Sequence, residues 1–191
     1  NRRGRLTGSY DKIQLVPVSE RMPYEHIFTG LKKIDVGGSH FVPGTTHEVF
    51  QAGRESFGVL ICFESIFPEL SRELVRGGAR FLVNITNDAW FERTSAACQH
   101  SSFLTLRAIE QRRSVVRAAN TGISAFYDPL GRRRMATGLF VPASATDTIS
   151  TSDEITFYCR HGDWPAHLAS TVSILLFLLS FMPRKFLNKQ H

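Results

Sequence analysis

Cysteine is scarce in this chain, three in 191 residues, and an odd number cannot close a disulfide framework. Cys98 and Cys159 are read as small buried hydrophobes, the usual place of a free thiol. Metal-ligand spacing is also lacking. The seven His show no helical i, i+4 pairing and no Cys partner, so no metal and no other cofactor is expected. There is no Gly-rich phosphate loop, no internal repeat and no low-complexity segment. Lys and Arg outnumber Asp and Glu by 23 to 17, a net charge of +6. No stacking aromatics interleave with Arg112-Arg113 or Arg132-Arg133-Arg134, which excludes a nucleic-acid partner and leaves the basic residues as solvated faces. Hydrophobic residues at 42% and charged residues at 21% exclude disorder.

What is present reads as strands and helices in alternation. Leu15–Val18 and Ile27–Leu31 are short apolar runs in a region that reads as short strands and loops. Phe57–Cys62 is a continuous apolar run suited to a strand buried on both faces. Pro68 opens a helix over 69–76 with Leu70, Leu74 and Val75 on one face, and Gly77-Gly78 stops it. A second buried strand spans 80–85. A longer helix runs over 95–113, with Phe103, Leu106 and Ile109 at helical spacing. Strands at 114–119 and 123–127 follow, separated by Asn120-Thr121-Gly122, and then the tight turn Asp128-Pro129-Leu130-Gly131. This order indicates an α/β or α+β sandwich over residues 1–163.

The end differs in kind. Trp164 to Met182 carries no Asp, Glu, Lys or Arg, and Val172–Met182 is almost wholly apolar. Nineteen helical residues rise roughly 28 Å, close to the thickness of a bilayer's hydrocarbon. A transmembrane helix is expected over 164–183, with Asp163 as its cap and Trp164 at the interface. Residues 184–191, with Arg184, Lys185 and Lys189, then form a basic cytoplasmic tail, which places residues 1–163 on the outer side. The competing reading is a buried terminal helix, which His167, Ser170, Thr171 and Ser173 would suit.

Cys62 closes its strand just before a turn into a helix, where a thiol is held rigidly and backbone N–H groups can meet an oxyanion. By position alone the reading as a core cysteine would win. Its company decides. Tyr10-Asp11-Lys12, Leu15-Val16-Pro17-Val18-Ser19-Glu20, Phe41-Val42-Pro43-Gly44, Gly58-Val59-Leu60-Ile61-Cys62-Phe63-Glu64, Asn87-Asp88-Ala89-Trp90-Phe91 and Arg117-Ala118-Ala119-Asn120-Thr121-Gly122 follow in that order. The series resembles the nitrilase superfamily, and within it the apolipoprotein N-acyltransferases of bacterial membranes.

That resemblance implies an α+β fold, a partial nitrilase-like αββα sandwich followed by the C-terminal transmembrane helix. It also implies a Glu-Lys-Cys triad. Cys62 matches the nucleophile and Lys12 the triad lysine, whose cation favours a thiolate and stabilises an oxyanion. Glu20 and Glu64 match supporting carboxylates, and the Phe63 N–H is the natural second oxyanion donor. Trp90 and Phe91 match aromatics at the site's entrance, and packing behind the preceding strand is an equal reading for both. The triad Glu lies upstream of the Lys in the family. None of the eleven residues before Lys12 is Glu, so the base is expected outside this chain, which alone would be inactive. The chain departs from the family at Ile13-Gln14, Val18-Ser19, Phe63 and Glu92, which bears on the acyl pocket rather than on the reacting groups.

The implied partners are a membrane phospholipid as acyl donor and an apolipoprotein as acceptor, at the periplasmic side of a bacterial inner membrane. Two rivals stand beside this reading. One is a soluble carbon–nitrogen hydrolase acting on an amide or nitrile, for which an apolar terminal helix has no use. The other is a truncated, non-catalytic domain tethered to the membrane, which the upstream reading frame would test.

Overall fold

A computed structural model describes residues 6, 8–21 and 41–181. The expected strand at Ile27–Leu31 and the basic tail at 184–191 lie outside the described residues. Strands β1 (Val49–Ala52) and β2 (Glu55–Ile61) form an antiparallel hairpin. A 3-10 turn at Cys62–Ile66 leads into α1 (Pro68–Arg76), and β3 (Phe81–Asn87) returns parallel to β2. A second 3-10 turn at Ala89–Phe91 precedes α2 (Ser95–Gln111), and β4 (Val115–Asn120) lies parallel to β3. Antiparallel β5 (Ala125–Tyr127) and β6 (Arg133–Arg134) complete a six-stranded sheet in the order β1-β2-β3-β4-β5-β6. Two helices follow, α3 (Phe157–His161) and α4 (Trp164–Ser180).

Local chemistry sets these bounds. Pro68 sits in the first turn of α1, where its absent N–H costs nothing, and Arg76 lies in the last turn, where a cation suits the helix dipole. Thr94 caps α2 by accepting from the Ala96 N–H at 3.3 Å. The run at Leu15–Val18 is not a strand. Pro17 has no N–H to give a ladder, and the chain turns at Val18 (φ 71) so that the Val18 N–H meets the Arg21 carbonyl at 2.8 Å.

The sheet has two unlike faces. Strand alternation sends Gly58, Leu60, Leu82, Asn84, Val115, Arg117, Ala125 and Tyr127 to the buried face, under α1 and α2. Leu60, Leu74, Leu82 and Leu104 are fully buried there, each worth about 1.5–3 kcal/mol of apolar burial. On the other face Phe57, Val59, Phe81, Val83, Val116 and Phe126 are half-buried and Ile85 is exposed. The described residues therefore make one mixed sheet with one helical layer, an αβ half in keeping with the partial αββα sandwich expected.

Four expectations change. The Phe103, Leu106 and Ile109 stripe faces outward, and α2 buries Ala97, His100, Ser101, Leu104, Arg107, Ala108 and Gln111 instead. His100, Ser101 and Arg107 are tolerated because they find partners, such as the Ser101 hydroxyl with the Tyr127 hydroxyl at 2.6 Å, whereas the Gln111 amide is buried without one. The arginines are not all solvated: Arg107, Arg113 and Arg117 are buried, Arg113 on the carbonyls of Ala79, Gln111, Arg112 and Glu154. Cys98 is exposed, whereas Cys159 is buried as expected. Finally, α4 has 17 residues and rises roughly 25 Å. Among the described residues no helix is long and apolar enough to cross a membrane. Nor is α4 a buried terminal helix, since none of its residues is buried.

Candidate active site

The carboxyl ends of the parallel strands lie side by side, Ile61 beside Ile85 and Asn87 beside Asn120. Open sheets of this kind place their ligands at that edge. Cys62 is the first residue beyond β2 and is half-buried. Its φ of 53° lies in the left-handed region, which costs a residue with a Cβ about 1–2 kcal/mol. Such strain persists only where surrounding bonds over-determine it, and it gathers at active sites. Here the bonds are on both sides. The Ile61 N–H donates to Glu64 Oε2 at 2.7 Å, and Ser65 Oγ donates to the Cys62 carbonyl at 3.1 Å.

Glu64 is the junction of the site. Its side chain is fully buried, and Oε1 accepts from the Tyr10 hydroxyl at 2.9 Å and from the N–H groups of Ile13 and Gln14 at 2.7 and 3.1 Å. One carboxylate thus ties the segment around Lys12 to the turn carrying Cys62. Burial, and after it the charge of Glu64, pushes the Tyr10 hydroxyl far above its ordinary range and keeps it a donor. Lys12 Nζ donates to both oxygens of Glu20, at 2.7 and 2.6 Å, and Glu20 Oε2 also accepts from the Val16 N–H at 2.8 Å. The Gly44 N–H bonds the Lys12 carbonyl at 2.8 Å, and a Cβ at Gly44 would collide with the Asp11 carbonyl oxygen. Only glycine lets the 41–44 segment press this closely on the lysine segment.

Of the residues singled out in the sequence, Glu64 meets both the Lys12 segment and the Cys62 turn, Lys12 pairs with Glu20, and Phe63 follows Cys62 within that turn. Phe63 itself packs edge-on against Phe67, with ring centroids 5.3 Å apart. Trp90 and Phe91 separate. Trp90 is 81% exposed, while Phe91 sets its edge against the His100 ring at 5.4 Å.

Sequence reasoning missed the groups behind the turn. Asp88 Oδ2 accepts from Arg117 Nη2 at 2.6 Å, and Asp88 Oδ1 meets Thr86 Oγ1 at 2.9 Å and His100 Nδ1 at 3.0 Å. Arg117 also donates to Asn84 and to the Ile123 carbonyl, and Asn84 donates to the Leu60 carbonyl at 2.9 Å. Burial raises the Asp88 pKa, but the His100 hydrogen bond and the Arg117 charge outweigh it, so the carboxyl sits below its usual range. A Cβ at Gly122 would collide with that carboxylate, so the glycine lies directly against it. One signal was legible. In β4, alternation puts Arg117 on the same side as buried Val115, and a charge there demands a partner.

The carbon-nitrogen hydrolase family model matches residues 1–146. The chain belongs to the carbon-nitrogen hydrolase family. Curated relatives include the apolipoprotein N-acyltransferase of Geobacter metallireducens, 45% identical over 160 residues that cover 84% of this chain and 31% of that protein. The apolipoprotein N-acyltransferase of Thermotoga maritima is 37% identical over 180 residues, 94% of this chain and 36% of the relative. The chain spans about a third of the length of these relatives. Among solved structures, an amidase from Nesterenkonia sp. superposes with a TM-score of 0.52 at 21% identity, covering 84% of this chain and 54% of that one. That likeness is one of fold. Cys62 thus offers a half-buried thiol on a strained turn that Glu64 ties to the lysine segment.

Proposed function

We propose that this chain carries part of the catalytic domain of an N-acyltransferase that matures bacterial lipoproteins. The observation that carries the reading is the Glu64 carboxylate, which bonds both the Lys12 segment and the left-handed turn of Cys62. The names of the curated relatives support the substrate class.

The Cys62 thiolate adds to an ester carbonyl carbon of a glycerophospholipid, forming the S–C bond. The ester C–O bond breaks, and the lysophospholipid oxygen leaves with the proton the thiol gave up. The amine of a diacylglyceryl-cysteine then attacks the thioester, so that a C–N bond replaces the C–S bond and the sulfur regains a proton. Splitting the transfer into two steps lowers each barrier. Lys12, held by Glu20, supplies positive charge beside the thiolate and the oxyanion, with the Phe63 N–H as second donor. Exposed Trp90 is offered to the acyl chain.

Both substrates live in a bilayer, and α4 suits that setting. Leu168, Val172, Ile174, Leu175, Phe177 and Leu179 are all exposed, and a helix apolar on every side needs a cover of lipid or protein. In this reading the exposed apolar surface of α4 lies against the bacterial inner membrane, with the catalytic domain on the periplasmic side.

The test is intact-mass spectrometry of the full-length gene product after incubation with phospholipid. A fatty-acyl increment removable by hydroxylamine, present in the wild type and absent in Cys62→Ala, is the expected result. No increment in the wild type, or one that survives in Cys62→Ala, overturns the reading.

A further inference from the structure

His100 sits on α2, 96% buried, with its ring wedged between the acid of β3 and the turn of Cys62. Nε2 lies 3.1 Å from the Cys62 carbonyl oxygen and 3.1 Å from Ser65 Oγ. A carbonyl only accepts, so Nε2 carries a hydrogen. Nδ1 faces Asp88 Oδ1 at 3.0 Å. Arg117 Nη2 lies 3.3 Å from Nδ1 and donates to the Asp88 carboxylate. The ring is therefore fixed at both nitrogens, and Phe91 braces its face.

What it fixes is a peptide plane. No described peptide bond is cis, so the Cys62–Phe63 amide is trans and its C=O and N–H point in opposite directions. His100 and Ser65 hold the carbonyl inward, toward α2. The Phe63 N–H is thereby aimed outward, away from α2. We infer that His100 is a positioning residue for acyl transfer, acting through the Cys62–Phe63 peptide to aim the Phe63 N–H at the oxyanion. Hydrogen bonding at the carbonyl end also polarises the amide, which strengthens its N–H as a donor. When the thiolate adds to an ester carbon, the C=O electron pair moves onto oxygen, and the aimed N–H meets that charge. When the pair returns, the alcohol oxygen leaves and takes a proton.

This inference rests on the acyl-transfer reading of Cys62, and the experiment separates the two. The full-length gene product reacts with p-nitrophenyl octanoate, and the burst of p-nitrophenolate reports acylation. Iodoacetamide is applied in parallel. It alkylates a thiolate by displacing iodide and develops no oxyanion. His100→Ala is expected to slow acylation about 100-fold, the cost of one oxyanion donor. Its alkylation rate stays within about twofold of the wild type. His100→Gln, which returns a neutral donor, recovers about tenfold, and Ser65→Ala, a smaller deletion, loses about threefold. If alkylation falls in step with acylation in these variants, or if His100→Gln recovers nothing, His100 merely supports the fold and the inference is overturned. A wild type without any burst overturns the acyl-transfer reading itself, before a variant is made.

Discussion

Two ion pairs serve the edge of the sheet, and they share a length but not a setting. Lys12–Glu20 and Arg117–Asp88 each close at 2.6 Å. The side chains of the first are 12% and 24% exposed, and those of the second are fully buried. The buried pair is saturated: Asp88 also bonds Thr86 and His100, and Arg117 also bonds Asn84 and Ile123. A saturated dry pair has one arrangement, and it serves as scaffold. The partly wet pair uses a flexible ammonium, whose three rotatable donors can turn from a carboxylate to an arriving oxyanion. In the proposed reading the difference assigns the chemistry to the cation that can change partners, backed by a cation that cannot.

The largest effect expected from breaking this comparison is at the dry pair. Arg117→Met leaves Asp88 as an uncompensated charge in a dry site, at a cost of about 3–5 kcal/mol. Urea or thermal unfolding of the full-length gene product measures it. A loss below 1 kcal/mol would mean that the Asp88 carboxylate reaches water, and the scaffold argument would fall.

Glu64 stands between the two settings, buried like Asp88 but bonded to the lysine segment. In Glu64→Gln one oxygen becomes an NH₂ that faces donors, either Ile61 or the group of Tyr10, Ile13 and Gln14. A bond to a charged acceptor is worth about 1.5–3 kcal/mol, so stability drops by roughly that amount. The burst of acylation slows with it, because this carboxylate holds both the turn and the lysine segment. Unchanged acylation in a destabilised variant would show that Glu64 serves the fold alone.

The sequence made the residues of the proposed catalytic side legible and those of the scaffold side barely so. Cys62, Lys12, Glu20 and Glu64 stand in short motifs whose order carries the resemblance. The αβ order was also readable, since Leu60, Leu82 and Val115 lie in apolar runs and Pro68 and Gly77 punctuate α1. His100 was invisible because its role depends on a strand register that sets Asn84 beside Arg117. The same blindness misplaced α2. Periodicity counts apolar residues, and the buried face of this helix is half polar, matched by Asp88, Tyr127 and the Ile66 carbonyl. Leu15–Val18 failed because an apolar run says nothing of Pro17, which turns the chain so that Glu20 can reach Lys12.

The smallest stability effect belongs to the wetter pair, and it sharpens the comparison most. Glu20→Gln keeps the shape of the side chain and removes its charge. A partly exposed pair contributes at most about 1 kcal/mol, so the unfolding midpoint should barely move. Activity should respond differently. Without the carboxylate the Lys12 ammonium keeps at most one of the two bonds that orient it, to the amide oxygen, and the Val16 N–H loses its charged acceptor. A cation displaced by about 1 Å from the reacting atoms costs roughly 10²-fold in rate. Measured on one sample, stability and the p-nitrophenolate burst should therefore part company, the first nearly constant and the second down about two orders of magnitude. Should both stay constant, Lys12 keeps its place without Glu20, and the division between a fixed scaffold pair and a mobile catalytic pair dissolves. Should stability fall by 3 kcal/mol or more, Lys12–Glu20 is a second buried pair of the Arg117–Asp88 kind.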